Sequence, residues 1–295
     1  MSSPTQRRAI LALVAAAFLF GATFVVVKSA LDHIAPVEFV AWRFLIGAVV
    51  LATLTLPKGK KIWWRGAVAG AALFAGFALQ TAGLQFTTAS NSALITGLYV
   101  VFTPFLASAL SRRWPSPWVV AGALTAFAGV ALLTGVDGLS LGRGDWLTVG
   151  CALAFAVHII ILAHWAHQHP VIPFTMVQMG VTSLLAFAFA MFFEGGVGLP
   201  DRSVWAALAL TGIGVTAGAY LLQIWAQTVV GPSTTAVVLA AEPAFGVAAG
   251  WIVLGEHLDV SGWIGAGLIL TAIYIVITRQ RDEASRAAEA VTAAH

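Results

Sequence analysis

The sequence predicts an all-α membrane protein with ten transmembrane helices, built as two inverted repeats of five, both termini cytoplasmic. Three observations carry that expectation. The 295 residues are 60% hydrophobic and only 9% charged, and the mean hydropathy of +0.92 lies far above that of soluble domains. Apolar stretches of about 20 residues, the length that crosses a hydrocarbon core of about 30 Å, recur ten times. The chain laid over itself also matches weakly but collinearly, which is the mark of an internal repeat.

Arg7-Arg8 followed by apolar residues imitates a signal peptide, but the run continues without a charge from Ala9 to Val27, long enough to span. The predicted spans are 9–29, 36–56, 64–86, 90–111, 117–135, 146–165, 172–193, 203–226, 233–254 and 260–278. Short loops leave no room for a soluble domain. With the N-terminus inside, eleven Lys and Arg fall on the cytoplasmic side (Arg7, Arg8, Lys58, Lys60, Lys61, Arg65, Arg112, Arg113, Arg279, Arg281, Arg286) and three outside (Lys28, Arg143, Arg202). That bias orients the bundle, and it is carried mainly by the first half and the tail.

A shift of 143 lays "FALQTAGLQFTTAS" (77–90) over "YLLQIWAQTVVGPS" (220–233), matching Gln80 with Gln223 and Ser90 with Ser233. It also sets Tyr99-Val100 opposite Glu242-Pro243. A shift of 135 matches Phe39 with Phe174 and Arg43 with Gln178. Five spans per repeat is an odd number, so the second half enters the membrane upside down. The expected units are 1–139 and 140–280, followed by a disordered cytoplasmic tail, 281–295. Inverted repeats support alternating access, with a site near the midplane where the repeats meet.

Several function classes are disfavoured. The pI of 9.4 reflects an excess of only +3, scattered over loop ends, so no nucleic-acid partner is expected. One cysteine, Cys151, makes no disulfide, and His164, His167 and His169 read as solvated loop residues rather than a metal site. No P-loop, G-x-S-x-G or H-E-x-x-H occurs and no Asp lies mid-span, so neither an enzyme nor a cofactor is expected; an intramembrane enzyme is the remote alternative.

The stretches "FLFGATFVVVK" (18–28), "WRF" (42–44), "TTASNSALITGLYVVFTPFLA" (87–107) and "STTAVVLAAEPAFGVAAGWIVLGE" (233–256) stand in this order along the chain. Through them the chain resembles the EamA-type drug/metabolite transporters, over about residues 8–280. The resemblance implies a ten-helix inner-membrane exporter of amino acids, related metabolites or drugs. The branch exporting aromatic and other neutral amino acids is similar. The fourth span departs from the pattern, since Tyr99-Val100 replaces Glu-Pro and a proline comes later, at Pro104.

Mid-span polar residues must face a cavity or another helix. Tyr220, Gln223 and Gln227 form one stripe; Asn91, Ile95 and Tyr99 a second; Thr235, Leu239 and Glu242 a third. His158 in the sixth span and Gln178, between Thr175 and Thr182 in the seventh, add to them. The candidate substrate-binding set is Gln80, Asn91, Tyr99, His158, Gln178, Tyr220, Gln223 and Glu242, with Arg43 as a possible charge partner. Such walls suit a small neutral or zwitterionic solute. For each residue a structural reading stands beside this one: amides bridging helices, a packed neutral histidine, an arginine bonded to helix ends or lipid, a carboxylate anchoring the packing of the ninth span. Pro104 and Pro243 are candidate hinges, and Gly246 with Gly250, like Gly214 with Gly218, offers close helix approach.

The expected function is export of small metabolites, amino acids first among them, by a monomer in the bilayer. A channel-like facilitative carrier and an exporter of drugs or other zwitterions are the alternatives. The expected motion is rocking of the third and fourth, and the eighth and ninth, spans against the first, second, sixth and seventh.

Overall fold

The structure is a computed structural model that describes residues 4–84, 86, 92, 95–112, 114–134, 142–254 and 260–293. Every regular element among them is helical: α1 Pro4–Ala22, α2 Phe24–Ala30, α3 Pro36–Leu54, α4 Lys60–Leu84, α5 Tyr99–Ser111, α6 Pro117–Thr134, α7 Arg143–Trp165, α8 Val171–Phe193, α9 Trp205–Gln227, α10 Pro232–Leu239, α11 Glu242–Leu254 and α12 Val260–Ala293. Seven of the described helices are long and apolar enough to cross a membrane, namely α1, α3, α4, α7, α8, α9 and α12; α5 and α6 are shorter apolar helices. This is a multi-pass helical membrane protein. Trp63, Trp64, Trp118, Trp146, Trp205 and Trp263 are all exposed, as residues at the interfacial level should be.

Three predicted features come out differently. The first span breaks at Thr23 between α1 and α2, where the Thr23 hydroxyl donates to the Leu19 and Phe20 carbonyls, a back-bond that bends helices. Within α9, Leu210–Ala219 is π-helical, a widened turn common at functional sites. Gly214 and Gly218 therefore make no close helix contact; Gly212 does, against Ile46 and the Arg43 carbonyl. The helix α12 continues through Ala293.

The tightest packing joins α3 to α8, α4 to α7 and α8, and α6 to α12. Small residues permit it. A Cβ on Gly70 would lie 2.6 Å from the Gln178 carbonyl, and one on Gly83 would lie 2.9 Å from that of Gly144. Hydroxyls of α8 then bond across: Thr182 donates to Gly70 O at 3.0 Å and Ser183 to Ala41 O at 2.9 Å. So α3, α4, α7 and α8 pack as one block in this conformation.

The block is fastened at both ends. At one end Glu194 Oε1 and Oε2, just past α8, accept from the Val37 and Glu38 amides at 3.0 and 2.9 Å, while Glu38 Oε1 accepts from Gly198 N. A carboxylate there satisfies two of the free donors at the start of α3 and complements its dipole. Glu194→Ala should cost about 1–2 kcal/mol, measured as a lowered Tm, and Glu194→Gln should cost less. At the other end Arg65 Nη1 donates to Gln168 Oε1 at 2.6 Å and meets His169 Nε2 at 3.1 Å. Partial burial, then the charges of Arg65 and Lys61, hold the His169 imidazole below its ordinary value, so it serves as the neutral acceptor.

Candidate functional site

The ninth span is not a continuous helix. Helix α10 ends at Leu239, Ala240 and Ala241 form a turn, and α11 starts at Glu242 with Pro243 in its first turn. Proline has no amide hydrogen to give the Leu239 carbonyl, and it is tolerated where amides are unpaired anyway. The break therefore follows from Pro243 and leaves a half-buried carboxylate at the positive end of a helix.

The fourth span breaks at the equivalent place. Gly97 and Leu98 form the turn and α5 starts at Tyr99. Under the 143-residue shift, Gly97-Leu98 falls on Ala240-Ala241 and Tyr99 on Glu242. The two half-helices are each 13 residues long. No proline explains the first break, since Pro104 lies one turn further on, inside α5. Both breaks interrupt predicted stripes: Ile95 and Tyr99 no longer stand on one helix, nor do Leu239 and Glu242.

These two helix starts are neighbours in space. Glu242 lies within electrostatic range of Tyr99, Tyr220 and Arg43. Arg43 is 8% exposed, so it is turned into the protein rather than toward lipid. Its Nε donates to Thr216 Oγ1 at 3.1 Å in the π-helical stretch, and its guanidinium lies 5.4 Å from the Phe44 ring and 5.7 Å from the Phe77 ring. Its interaction with Glu242 acts through space rather than as a direct ion pair. Opposite charges this deep stabilise one another because neither is hydrated well.

Tyr220 ties four helices together. Its ring centroid is 5.1 Å from Phe20 on α1, 6.1 Å from Phe44 on α3 and 6.2 Å from His158 on α7. His158 Nε2 and Gln178 Oε1 are 2.9 Å apart, and with the amide in this orientation the ring nitrogen donates. Gln178 is 0% exposed, and its Nε2 has no partner. Leaving a buried amide donor unmade costs about 1–3 kcal/mol, so an oxygen atom reaching it from a bound solute would be stabilising.

Of the sequence candidates, the structure brings Tyr99, Tyr220, Glu242 and Arg43 together, with His158 and Gln178 alongside. Gln223 and Gln227 are buried in a helix-to-helix bridge: Gln223 Nε2 donates to Gln227 Oε1 at 3.2 Å, and Gln227 Nε2 to the Ile159 carbonyl at 2.9 Å. Gln80 belongs to another group, donating to Thr96 Oγ1 at 3.3 Å beside Cys151. Asn91 lies outside the described residues, as does the surrounding of Gly250. Gly246 makes its close approach to Gly21 of α1. Thr175 and Thr182 bond to backbone carbonyls.

Sequence reasoning missed Thr216, Phe20, Phe44 and Phe77. Thr216 stands four residues before Tyr220 and extends its stripe, a usable signal. Phe20 and Phe44 stand in the quoted "FLFGATFVVVK" and "WRF" stretches, but nothing in the spacing of the three phenylalanines separates them from lipid-facing ones.

The sequence signature of the EamA-like transporter family matches the chain twice, over residues 7–135 and 142–278. An uncharacterized transporter of Archaeoglobus fulgidus is 34% identical over 272 residues, covering 91% of this chain and 85% of that protein. The uncharacterized transporter YyaM of Bacillus subtilis is 27% identical over 271 residues, covering 86% and 88%. A solved crystal structure superposes with a TM-score of 0.80 at 20% identity, over 93% of this chain and 98% of that one. That last likeness concerns the fold alone.

Proposed function

The chain belongs to the EamA-like transporter family, and on that premise we propose that it exports small zwitterionic metabolites, amino acids with neutral or aromatic side chains first among them. Export runs across the cytoplasmic membrane by alternating access. The observation that carries the reading is the pair of helix breaks at Tyr99 and Glu242, related by the repeat and meeting beside Arg43 and Tyr220. Broken helices of this kind present unpaired amides to a substrate carboxylate. Arg43 offers a second contact for that carboxylate, Glu242 one for an ammonium group, and Phe20, Phe44 and Tyr220 an apolar surface for a side chain. A strongly anionic substrate would need more cations than the one arginine here.

Two inverted repeats, 1–139 and 140–280, are part of the proposal. The double match of the family signature supports it. So does the packing, which maps onto itself when the halves are exchanged. The pair α4–α7 corresponds to α1–α9, α4–α8 to α3–α9, and α5–α7 to α1–α11. In this conformation Arg43, His158, Gln178 and Tyr220 are buried while Tyr99 and Glu242 are half-buried, and in this reading the broken helices move against the α3–α4–α7–α8 block to open the buried part. The protein acts as a monomer without a cofactor or a catalytic step. Facilitated movement without proton coupling, and other zwitterions including drugs, are the alternatives.

Reconstituted vesicles loaded with a panel of amino acids test this. Saturable flux, stimulated by substrate on the opposite side and abolished by a cysteine cross-link joining α5 to α10, is the expected result. Non-saturating flux would indicate a channel, and flux surviving the cross-link would remove the proposed motion.

A further inference from the structure

We propose that the cavity between the α3–α4 loop and the α7–α8 link is a binding site for an anionic phospholipid, its phosphate on the cations at the mouth and an acyl chain along the apolar wall. The cavity has a volume of about 510 Å³ and lies where the two halves of the chain meet. Leu56, Ile62, Val171 and Ile172 supply an apolar wall, while Lys58 and His169 stand on its polar side. Arg65 is held against His169 by its bonds to Gln168 and His169, and Lys61 is near enough for its charge to act on His169.

Neither of the two segments that form it, 55–65 and 164–173, contains an Asp or Glu to offset this charge. A cationic mouth over an apolar wall fits an amphiphile better than a free ion. The level is also right for a headgroup, because the exposed Trp63 and Trp64 beside the cavity are of the type that settles at the membrane interface. Anionic lipid is attracted to basic residues at such a surface. Bound there, it bridges the first and second halves on the lysine-rich side, independently of what the protein transports.

The protein in neutral detergent is titrated with phosphatidylglycerol, phosphatidylcholine or inorganic phosphate while Tm is followed. Phosphatidylglycerol should raise Tm saturably and the other two should not. The double variant Lys58→Gln/Lys61→Gln changes two exposed side chains and should weaken the phosphatidylglycerol response about tenfold or more. Ile172→Trp, which fills the apolar wall, should reduce it without altering charge. Equal responses to the two lipids, or variants that titrate like the unaltered protein, overturn the proposal. A phosphate response as large as that of the lipid overturns it too, by assigning the site to a free anion. Because binding rather than flux is measured, the outcome is separate from that of the transport reading.

Discussion

Replacing Glu242 by Gln is expected to reduce substrate flux at least tenfold while leaving the break between α10 and α11 in place. The break depends on Pro243 and on the turn at Ala240-Ala241, neither of which involves the carboxylate. What Gln removes is the charge that faces Arg43, Tyr220 and Tyr99. Arg43 is then a buried cation without its counter-charge. Breaking a direct buried pair costs about 3–5 kcal/mol; with the charges apart rather than in contact, the loss should be nearer to about 2 kcal/mol. Arg43→Gln should cost a similar amount. The double variant should be more stable than the sum of the two predicts, because removing both charges leaves neither unpaired. Additive losses would show that the two charges do not stabilise each other. Unaltered flux and an unaltered flux–pH profile in Glu242→Gln would leave Glu242 as a packing anchor only.

The second large effect is expected at Gly21→Ala. A Cβ there collides with the Glu242 carbonyl oxygen and would lie 2.8 Å from Gly246 N and 2.9 Å from Phe245 Cβ. Two of those atoms are backbone, which cannot rotate away, so α1 and the start of α11 must separate. Overpacking of this kind costs about 1–3 kcal/mol and sometimes more, and it displaces Glu242, so flux should fall together with Tm. Gly214→Ala supplies the contrast. Nothing lies within 4 Å of the place its methyl group would take, and alanine favours helix over glycine by about 1 kcal/mol, so stability should hold or rise. If Gly21→Ala is as harmless as Gly214→Ala, the contact between α1 and α11 is not made in the membrane.

The comparison of these glycines shows where sequence reasoning reached its limit. Both Gly214-x-x-x-Gly218 and Gly246-x-x-x-Gly250 carry a spacing that promises close helix contact. In the structure the first pair lies in a π-helical stretch and makes no close helix contact, while Gly246 meets Gly21, which has no glycine four residues away to mark it. Spacing predicts a face only while the helix keeps 3.6 residues per turn. Where α9 widens and where the fourth and ninth spans break, the stripe arithmetic no longer applies. Tyr99 and Glu242 were nevertheless legible, because a repeat shift depends on order along the chain and not on helical phase.

The membrane class and the helical segments came from the sequence alone, because bilayer thickness converts hydropathy directly into helix length and leaves the backbone no other way to satisfy its hydrogen bonds. Glu242-Pro243 was recognisable as an anomaly for the same reason. Only the tertiary structure decided that Arg43 turns inward to Thr216 and Phe77, and that Gln223 and Gln227 bridge helices. It also decided that a half-helix start without a proline, at Tyr99, comes to stand beside the one at Glu242. Those outcomes depend largely on contacts between residues far apart along the chain, and in a chain that is apolar on every face, local pattern does not say which face meets which neighbour.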